Sequence, residues 1–153
     1  MRRQFSETTH RSVKMAKEFK AKNQYTPKKD EEYMSEAQLA HFTRLLEDWK
    51  NEILTDSDRT KEHLRDERAP TADLNDRATQ EEEFSLELRT RDRERKLLGK
   101  IQATIRLIDE GEYGYCQDTG EPIGLKRLLA RPTATLSVEA QERRERMKKQ
   151  FAD

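Results

Sequence analysis

The feature that most constrains this chain is a pair of long helical patterns separated by one proline. The first pattern covers residues 35–69 and the second covers residues 73–108. Pro70 disfavours helical geometry at the residue before it, and several short polar residues that cap helices follow it. At about 1.5 Å per residue, each arm measures about 50 Å. The sequence therefore predicts an antiparallel two-helix coiled-coil hairpin with its tip at residues 69–78.

The apolar residues predict a hairpin that is well packed at one end and weakly packed at the other. On the first arm the seam repeats at intervals of four and three residues, as in a coiled coil, and consists of Phe42, Leu46, Trp49 and Ile53, widened by Leu39, Leu45 and Leu54. On the second arm Phe84 and Leu88 are sparse, and Leu97, Ile101, Ile105 and Ile108 are dense. Antiparallel folding places the two dense halves together.

The composition suits long solvated helices rather than a large core. Charged residues make up 41% of the 153 residues and apolar residues only 32%, a balance too polar for one big interior. Disorder also goes with low hydrophobicity, but the net charge is zero and the apolar residues have helical spacing. The zero net charge argues against general affinity for nucleic acid, which depends on an excess of Lys and Arg.

Compartment and domain order follow from the rest of the chain. No apolar run is long enough for a membrane span or a signal peptide, and a single Cys favours a reducing, cytoplasmic compartment. Four of the five glycines lie between residues 110 and 136. We therefore expect a basic N-terminal arm that joins a globular base (1–34), the hairpin (35–109), a compact turn-rich module (110–136) and a C-terminal helix (137–153). The arm either solubilises and docks the protein or touches an acidic surface such as nucleic acid.

Local signals predict the elements inside these segments. Ser35 and Gln38 have the spacing of a capping box at the start of the first arm. In the turn-rich module, residues 113–116 suit a short strand and residues 125–130 a short helix. Ser137 is placed to cap a final helix that runs to residue 151.

Three stretches resemble the DksA/TraR family of RNA polymerase-binding transcription factors. They read EEYMSEAQLAHF at 31–42, DRATQEEEFSLELRTRDRERKL at 76–97 and GYCQDTGEPIGLKRLLARPTATL at 114–136. The resemblance implies a mainly α fold in which a coiled coil projects from a globular base. It implies a monomeric regulator, not an enzyme, that enters the secondary channel of RNA polymerase and modulates initiation at rRNA and amino-acid promoters. The alarmone ppGpp is the effector in this stringent response, and sequence-specific DNA binding is not involved.

The resemblance assigns the tip of the hairpin to the polymerase active-site region. The family's two acidic residues and its small residue fall on Asp73, Asp76 and Ala78. Short carboxylates on a narrow rod suit a cationic, magnesium-bearing centre. The alternative is that both Asp residues only cap the second helix. An acid/base pair in an enzyme is disfavoured because the chain has no nucleophile–base spacing and no phosphate loop.

One departure from the family concerns zinc. The family's Cys-x2-Cys, seventeen residues, Cys-x2-Cys pattern falls on Cys116, Thr119, Ser137 and Ala140. A structural zinc site needs four Cys or His ligands, so we expect no zinc. Cys116 is then either a buried remnant or a redox-sensitive thiol whose pKa is lowered by Arg131 or Lys126. In place of the metal we expect hydrogen bonds from Thr119 and Ser137 and additional packing. The packing residues are Tyr113, Tyr115, Ile123, Leu125, Leu128, Leu129, Leu136 and Val138.

A second departure concerns the alarmone. The family's ppGpp-binding positions match Arg93, Leu97 and Lys100, with Arg131 as a possible neighbour. Arg and Lys both suit pyrophosphate. A further basic position of the family is Gln141 here, which weakens the expected ppGpp site. The alternative is ordinary helix-surface charge, and the alternative function is an adapter coiled coil that joins proteins without affecting polymerase.

Overall fold

The structure is a computed structural model that describes residues 24–66 and 74–152. The helices of this part of the chain are α1 (Glu36–Asp66), α2 (Leu74–Asp109), α3 (Leu125–Ala130) and α4 (Val138–Phe151). Within the same residues, β pairing is limited to one bridge between Tyr115 and Pro122, so the short strand expected at 113–116 is reduced to a single paired residue. The mainly α class is confirmed. None of the described helices is long and apolar enough to cross a membrane.

The start of α1 forms as its capping signal predicts. The Ser35 hydroxyl accepts a hydrogen bond from the Gln38 N–H at 3.4 Å. The Gln38 side chain accepts from the N–H of Met34 at 2.9 Å, one residue earlier than in the usual capping box. One unpaired N–H of the first turn, that of Gln38, therefore has a partner, and so does the N–H of Met34 just before the cap. The buried Gln38 is satisfied in this way.

The described residues fall into two compact units, and each unit has its own core. The hairpin unit contains residues 46–66 and 74–112, and the finger unit contains residues 24–45 and 113–152. Helix α1 contributes to both, because its first residues belong to the finger unit. The boundary therefore falls inside α1 rather than at residue 35.

The hairpin unit is held by one apolar cluster. Leu46, Ile53 and Ile101 are buried at its centre, and the half-buried residues packed against them are Trp49, Leu97, Leu98, Ile105 and Ile108. This cluster joins the early part of α1 to the late part of α2, which is the pairing that the dense halves of the seam predict. Each fully buried aliphatic side chain contributes about 1.5–3 kcal/mol through removal from water.

Chain length makes the pairing antiparallel. Asp66, the end of α1, lies about 20 Å beyond Ile53, and Leu74, the start of α2, lies about 40 Å before Ile101 at about 1.5 Å per residue. Parallel helices with these two residues in one cluster would put the ends about 60 Å apart. The eight peptide steps between the helices reach at most about 29 Å. Only the antiparallel arrangement fits the connection.

Packing becomes thinner away from this cluster, as the sequence predicts. Large apolar side chains of the hairpin unit are exposed at Leu54, Phe84, Leu86 and Leu88. The expectation that Leu54 widens the seam is therefore wrong. The charged residues around these positions supply solvated surface, so the outer part of the hairpin has little internal packing to hold its side chains.

The finger unit has a second core, built from distant parts of the chain. Its buried apolar residues include Phe42, Leu45, Tyr113, Ile123, Leu128, Ala134, Leu136 and Ala140. The rings of Phe42 and Tyr113 lie 5.5 Å apart between centroids. Phe42 and Leu45, which the periodicity assigns to the coiled-coil seam, thus belong to this core. Tyr115 and Val138 are exposed, so their predicted packing roles are wrong.

Candidate functional site: the hairpin tip and the finger

Two of the three predicted tip residues lie on the first turns of α2. Asp76 and Ala78 are exposed there, and Asp73 lies outside the described residues. Asp76 is the third residue of α2, so it lies inside the helix and is not the cap that the alternative interpretation assigned. A carboxylate in the first turn is favoured by the positive end of the helix dipole. It remains available to contact another molecule.

The acidic surface continues along α2 beyond these residues. Glu81, Glu82 and Glu83 are exposed, and they are followed by the exposed apolar residues Phe84 and Leu88. This part of α2 therefore presents negative charge and apolar area on one slender element. Such a combination suits binding to another macromolecule, because exposed apolar groups gain from burial and charges give orientation.

The finger unit contains a short hairpin, residues 114–124, which we call the finger hairpin. The Ile123 N–H donates to the Gly114 carbonyl, and the Cys116 N–H donates to the Glu121 carbonyl, both at 2.8 Å. The turn at its end is closed by the Gly120 N–H, which donates to the Cys116 carbonyl at 2.8 Å. Gly120 has a φ of 73°, a left-handed conformation that glycine adopts without strain.

Three of the four positions of the expected zinc pattern come together at this turn, and the fourth, Ala140, contacts one of them, Ser137. Cys116 is buried, and its sulfur receives hydrogen bonds from the side chain and backbone of Thr119 and of Ser137. Ser137 is the N-cap of α4, and its hydroxyl accepts from the N–H of Ala140 at 3.3 Å. The Thr119 hydroxyl accepts from the Glu121 N–H at 3.3 Å. Each hydroxyl thus accepts from a backbone N–H, which leaves its own hydrogen for donation to the sulfur.

These donors change the acidity of the thiol. Burial by itself raises the pKa of Cys116, but the hydrogen bonds from Thr119 and Ser137 outweigh burial and lower the pKa from 9.0 to about 6. Hydrogen bonds made to the charged form favour that form. The sulfur is therefore held as a thiolate at neutral pH. Neither Arg131 nor Lys126 is among the causes of this shift, so both predicted roles are wrong.

The cation near the sulfur is Arg144 of α4. Its guanidinium donates to both carboxylate oxygens of Asp118, with Nε 2.8 Å from Oδ2. The pKa of Arg144 is raised first by Asp118 and to a smaller degree by the charge of Cys116. The same ion pair lowers the pKa of Asp118. This pair ties α4 to the turn of the finger hairpin.

The residues at the four positions do not fit zinc. Zinc in a structural site is bound by four thiolate or imidazole groups in a tetrahedron. Here two hydroxyl groups accompany one sulfur, and the fourth position, Ala140, has only a methyl side chain, which cannot bind a metal. Among the described residues, no group of three or more His, Cys, Asp or Glu side chains is arranged to hold a metal. The cluster can instead stabilise one negative charge on sulfur.

The predicted alarmone residues are divided between the units. Arg93 and Lys100 are exposed on α2, and Leu97 is half-buried against the apolar cluster of the hairpin unit. Arg131 is exposed at the end of α3 in the finger unit, and Gln141 lies on α4, where its side chain donates to Glu145 at 2.9 Å. Seven residues separate the two α2 cations, so they lie on one face of the helix.

Sequence analysis missed two sets of contacts. The pair Asp118–Arg144 joins residues 26 apart, and no spacing rule marks it in a helix rich in Arg. The hydroxyl of Tyr33 bonds to the backbone of Gly114 and Gly124, 81 and 91 residues away. The sequence offers one signal for the second set, the Tyr33 side chain itself, because a Tyr hydroxyl that packs against the protein usually has a hydrogen-bond partner.

Two family models match the chain. The one described as "DnaK suppressor protein DksA, N-terminal domain" matches residues 38–108. The other, "Prokaryotic dksA/traR C4-type zinc finger", matches residues 111–146. The second match holds although three of the four cysteine positions that the family name refers to are occupied by other residues.

Curated relatives and a solved structure agree with these matches. The chain is 54% identical over 132 residues to the "RNA polymerase-binding transcription factor DksA" of Caulobacter vibrioides NA1000, covering 86% of this chain and 93% of the relative. It is 52% identical over 128 residues to the protein of that name from Escherichia coli K12, covering 84% and 85%. The structure of transcription factor DksA2 from Pseudomonas aeruginosa superimposes with a TM-score of 0.72 at 42% identity, covering 86% of this chain and 98% of that one.

Proposed function

Because this chain belongs to the DksA family, it is a transcription regulator that binds RNA polymerase, and we propose that it acts through the secondary channel of that enzyme. The relatives that match it over most of its length carry the name of an RNA polymerase-binding transcription factor. The observation that carries the proposal is the exposure of Asp76 and Ala78 at the start of a long, slender helix pair. The protein is not proposed to catalyse a reaction itself.

Shape and charge support this mode of action. Helix α2 has 36 residues, a length of about 54 Å at about 1.5 Å per residue. A pair of helices is about 20 Å across, narrow enough for a channel that a globular domain cannot enter. Asp76, together with Asp73, would then lie near the catalytic magnesium. At that position negative side chains perturb the polymerase's handling of promoter complexes, including rRNA and amino-acid promoters.

The alarmone ppGpp is the proposed effector. Arg93 and Lys100 provide a bidentate fork and a point charge for pyrophosphate, both exposed on α2. Leu97 lies between them in sequence, and Arg131 is the further ppGpp residue that the family resemblance proposes. Gln141 has no charge, so we propose that ppGpp binds with lower affinity than in a relative with a basic residue there. Its effect on transcription is correspondingly smaller.

We propose that the finger works without zinc. The hydrogen-bonded sulfur of Cys116 is the only thiol in the chain, and a lone thiolate with a pKa of about 6 reacts with oxidants once it is exposed. A redox role for Cys116 therefore requires opening of the finger, since the side chain is buried. We further propose a cytoplasmic monomer that makes no sequence-specific contact with DNA.

The test is in vitro transcription from a ribosomal promoter by purified bacterial RNA polymerase, with and without ppGpp. Asp76→Asn is expected to bind polymerase as tightly as the wild type and to lose regulation by about tenfold, equivalent to about 1.4 kcal/mol. Asp58→Asn, which removes one exposed carboxylate from α1, is the matched control and is expected to keep regulation. Equal regulation by Asp76→Asn and wild type would contradict the tip assignment.

Two further arms test the effector and the metal. Arg93→Ala combined with Lys100→Ala is expected to remove the ppGpp-dependent part of regulation, whereas Lys96→Ala, exposed on the same helix, should leave it intact. Zinc content is measured on the protein used for transcription and is expected to be well below one ion per chain. One tightly bound zinc per chain would overturn the metal-free proposal.

The exposed apolar residues Phe84, Leu86 and Leu88 favour a second candidate, an adapter coiled coil without effect on polymerase chemistry. This function predicts that the outer part of the hairpin drives self-association. It also predicts that Asp76→Asn has no effect on transcription. Sedimentation of the wild type and of Leu88→Ser, together with the transcription assay above, separates the two candidates.

A further inference from the structure

The hydroxyl of Tyr33 joins both sides of the finger hairpin. It donates to the Gly114 carbonyl at 2.6 Å and accepts from the Gly124 N–H at 3.0 Å. Gly114 and Gly124 stand at the open end of the finger hairpin, where the Ile123 N–H also donates to the Gly114 carbonyl. One side chain from before α1 therefore closes the end of the hairpin opposite to the Cys116–Gly120 turn.

The segment around Tyr33 also fits the finger closely. Gly114 has a φ of +92°, and a Cβ built there would lie 2.7 Å from the sulfur and 2.8 Å from Cγ of Met34. Met34 itself has a φ of 55°, a backbone conformation uncommon for residues other than glycine. The ring of Tyr33 meets the ring of Tyr115 edge-on, with centroids 5.9 Å apart. Gly114 is thus required both for its conformation and for this contact.

Residues 25–35, which we call the strap, are also held together internally by one carboxylate, that of Glu31. Glu31 accepts hydrogen bonds from the Tyr25 hydroxyl, from the Lys28 N–H at 2.9 Å and from the Ser35 hydroxyl at 2.7 Å. The pKa of Glu31 is lowered, first by its bond from Tyr25. The strap leads directly into α1 through Ser35, so its position is determined at both ends.

We infer that the strap is the cross-link by which the protein itself closes the open end of its finger hairpin, with Tyr33 as the anchoring residue. The four positions of the zinc pattern lie elsewhere, at the Cys116–Gly120 turn and at the start of α4. In this chain, the turn end is joined by Thr119, Ser137 and the Asp118–Arg144 pair, and those contacts leave the open end to the strap. The finger hairpin is therefore an incomplete element without the residues that precede α1.

Hydrogen exchange of the full-length protein tests this inference. Tyr33→Phe removes one hydroxyl and leaves the Gly124 N–H without its partner, so exchange at Gly124 and Ile123 is expected to accelerate by about tenfold or more. Amides around Ile101 in the hairpin unit should keep their rates. Tyr115→Phe is the matched control, since it removes a hydroxyl from an exposed ring in the same finger. Equal rates at Gly124 in the two variants would overturn the inference.

A second pair of variants separates the contact from backbone strain. Gly114→Ala is expected to destabilise the wild type through its positive φ and through the clash with Met34. In a Met34→Ala background the clash with Met34 is gone, whereas the strain and the 3.2 Å approach to the Tyr33 hydroxyl remain, so the loss should be smaller. An equal loss in both backgrounds would show that the strap does not contact Gly114.

Chelation provides the last arm. Wild-type protein dialysed against EDTA is expected to keep slow exchange at Gly124, since no metal closes the finger. Fast exchange after EDTA alone would overturn the inference. All of these readouts are made on the free protein, so their failure is distinct from a failure to bind polymerase.

Discussion

The hairpin unit and the finger unit are stabilised by different kinds of contact. In the hairpin unit, the buried residues are apolar and recur along two helices, as Leu46, Ile53 and Ile101 show. In the finger unit, an apolar core is supplemented by side chains that bond to distant backbone, as Tyr113 does to the Pro132 carbonyl at 2.8 Å and Arg127 does to the Leu136 carbonyl at 3.0 Å. A repeating pattern is enough for the first unit, whereas the second depends on individual partners.

The largest expected effect converts the finger to the metal-dependent type. Thr119→Cys, Ser137→Cys and Ala140→Cys supply three thiols, which with Cys116 complete the four positions of the family's zinc pattern. We expect one zinc per chain and a zinc-dependent rise in stability, because metal binding to such thiols contributes about 10 kcal/mol or more in zinc-finger peptides. Metal analysis and thermal unfolding with and without EDTA measure it.

The matched control moves one ligand by a single residue. Thr119→Cys, Val138→Cys and Ala140→Cys have the same number of thiols, but Val138 is exposed. We expect no stoichiometric zinc and no stabilisation by it. If both triple variants bound zinc equally, the positions 116, 119, 137 and 140 would not be arranged for metal binding. The finger unit would then not depend on individual partners in the way that distinguishes it from the hairpin unit.

The next largest effect is expected in the hairpin unit. Ile101→Ala removes a fully buried side chain and should lower the free energy of unfolding by about 2–5 kcal/mol through lost burial and a cavity. Leu88→Ala, on the same helix but exposed, should change it by no more than about 0.5 kcal/mol. Urea unfolding followed by circular dichroism gives both values. Similar losses would contradict the packing gradient along the hairpin.

A smaller effect at neutral pH concerns the Cys116 thiolate. The pKa of Cys116 is lowered from 9.0 to about 6 in the folded protein. The stability that the thiolate contributes to the folded state is therefore fully present above pH 9. That stabilisation declines as pH falls and is lost once pH passes below 6. Absorbance at 240 nm should titrate with a midpoint near 6 in the wild type and not in Cys116→Ala. A midpoint above 8 would show that Thr119 and Ser137 do not hold a thiolate.

The smallest effect is expected for the ion pair on the finger surface. Asp118→Asn removes the charge that Arg144 contacts, and both side chains are partly exposed. Exposed ion pairs contribute about 1 kcal/mol or less, and salt screens them. Chemical unfolding at low and high salt should show a loss that shrinks with salt. Glu142→Gln, which disturbs the exposed pair with Arg146, is the control and is expected to have less effect.

The difference between repeating and individual contacts also explains which parts of the fold could be predicted from the sequence. Helix boundaries, the capping by Ser35 and Ser137, and the packed base of the hairpin follow from spacing and local chemistry, and they were predicted. Phe42 was assigned to the wrong core, because a helix that serves two units carries one continuous apolar stripe. The contacts of Tyr33 and Arg144 span 81 and 26 residues, and no local pattern encodes such pairs.

The candidate site likewise contains some features that could be predicted from the sequence and others that could not. Resemblance placed Asp76 and Ala78 at the start of α2, where they are exposed, and it aligned with one motif Cys116, Thr119 and Ser137, which meet in the finger unit. Hydrogen bonds from Thr119 and Ser137 were predicted as a replacement for zinc, but their direction toward the Cys116 sulfur was not, since only the folded backbone fixes the orientation of these hydroxyl and N–H groups. The assignments of the tip to polymerase and of Arg93 and Lys100 to ppGpp remain predictions.

The thin packing around Phe84, Leu86 and Leu88 has an evolutionary consequence. Substitutions at buried positions such as Ile101 are filtered by the fold, whereas those on the outer part of α2 cost little stability. Selection on this stretch therefore reflects what the helix touches outside the molecule. Divergence there between species should follow changes in the surface of a binding partner, so paired substitutions across genomes would map the contact.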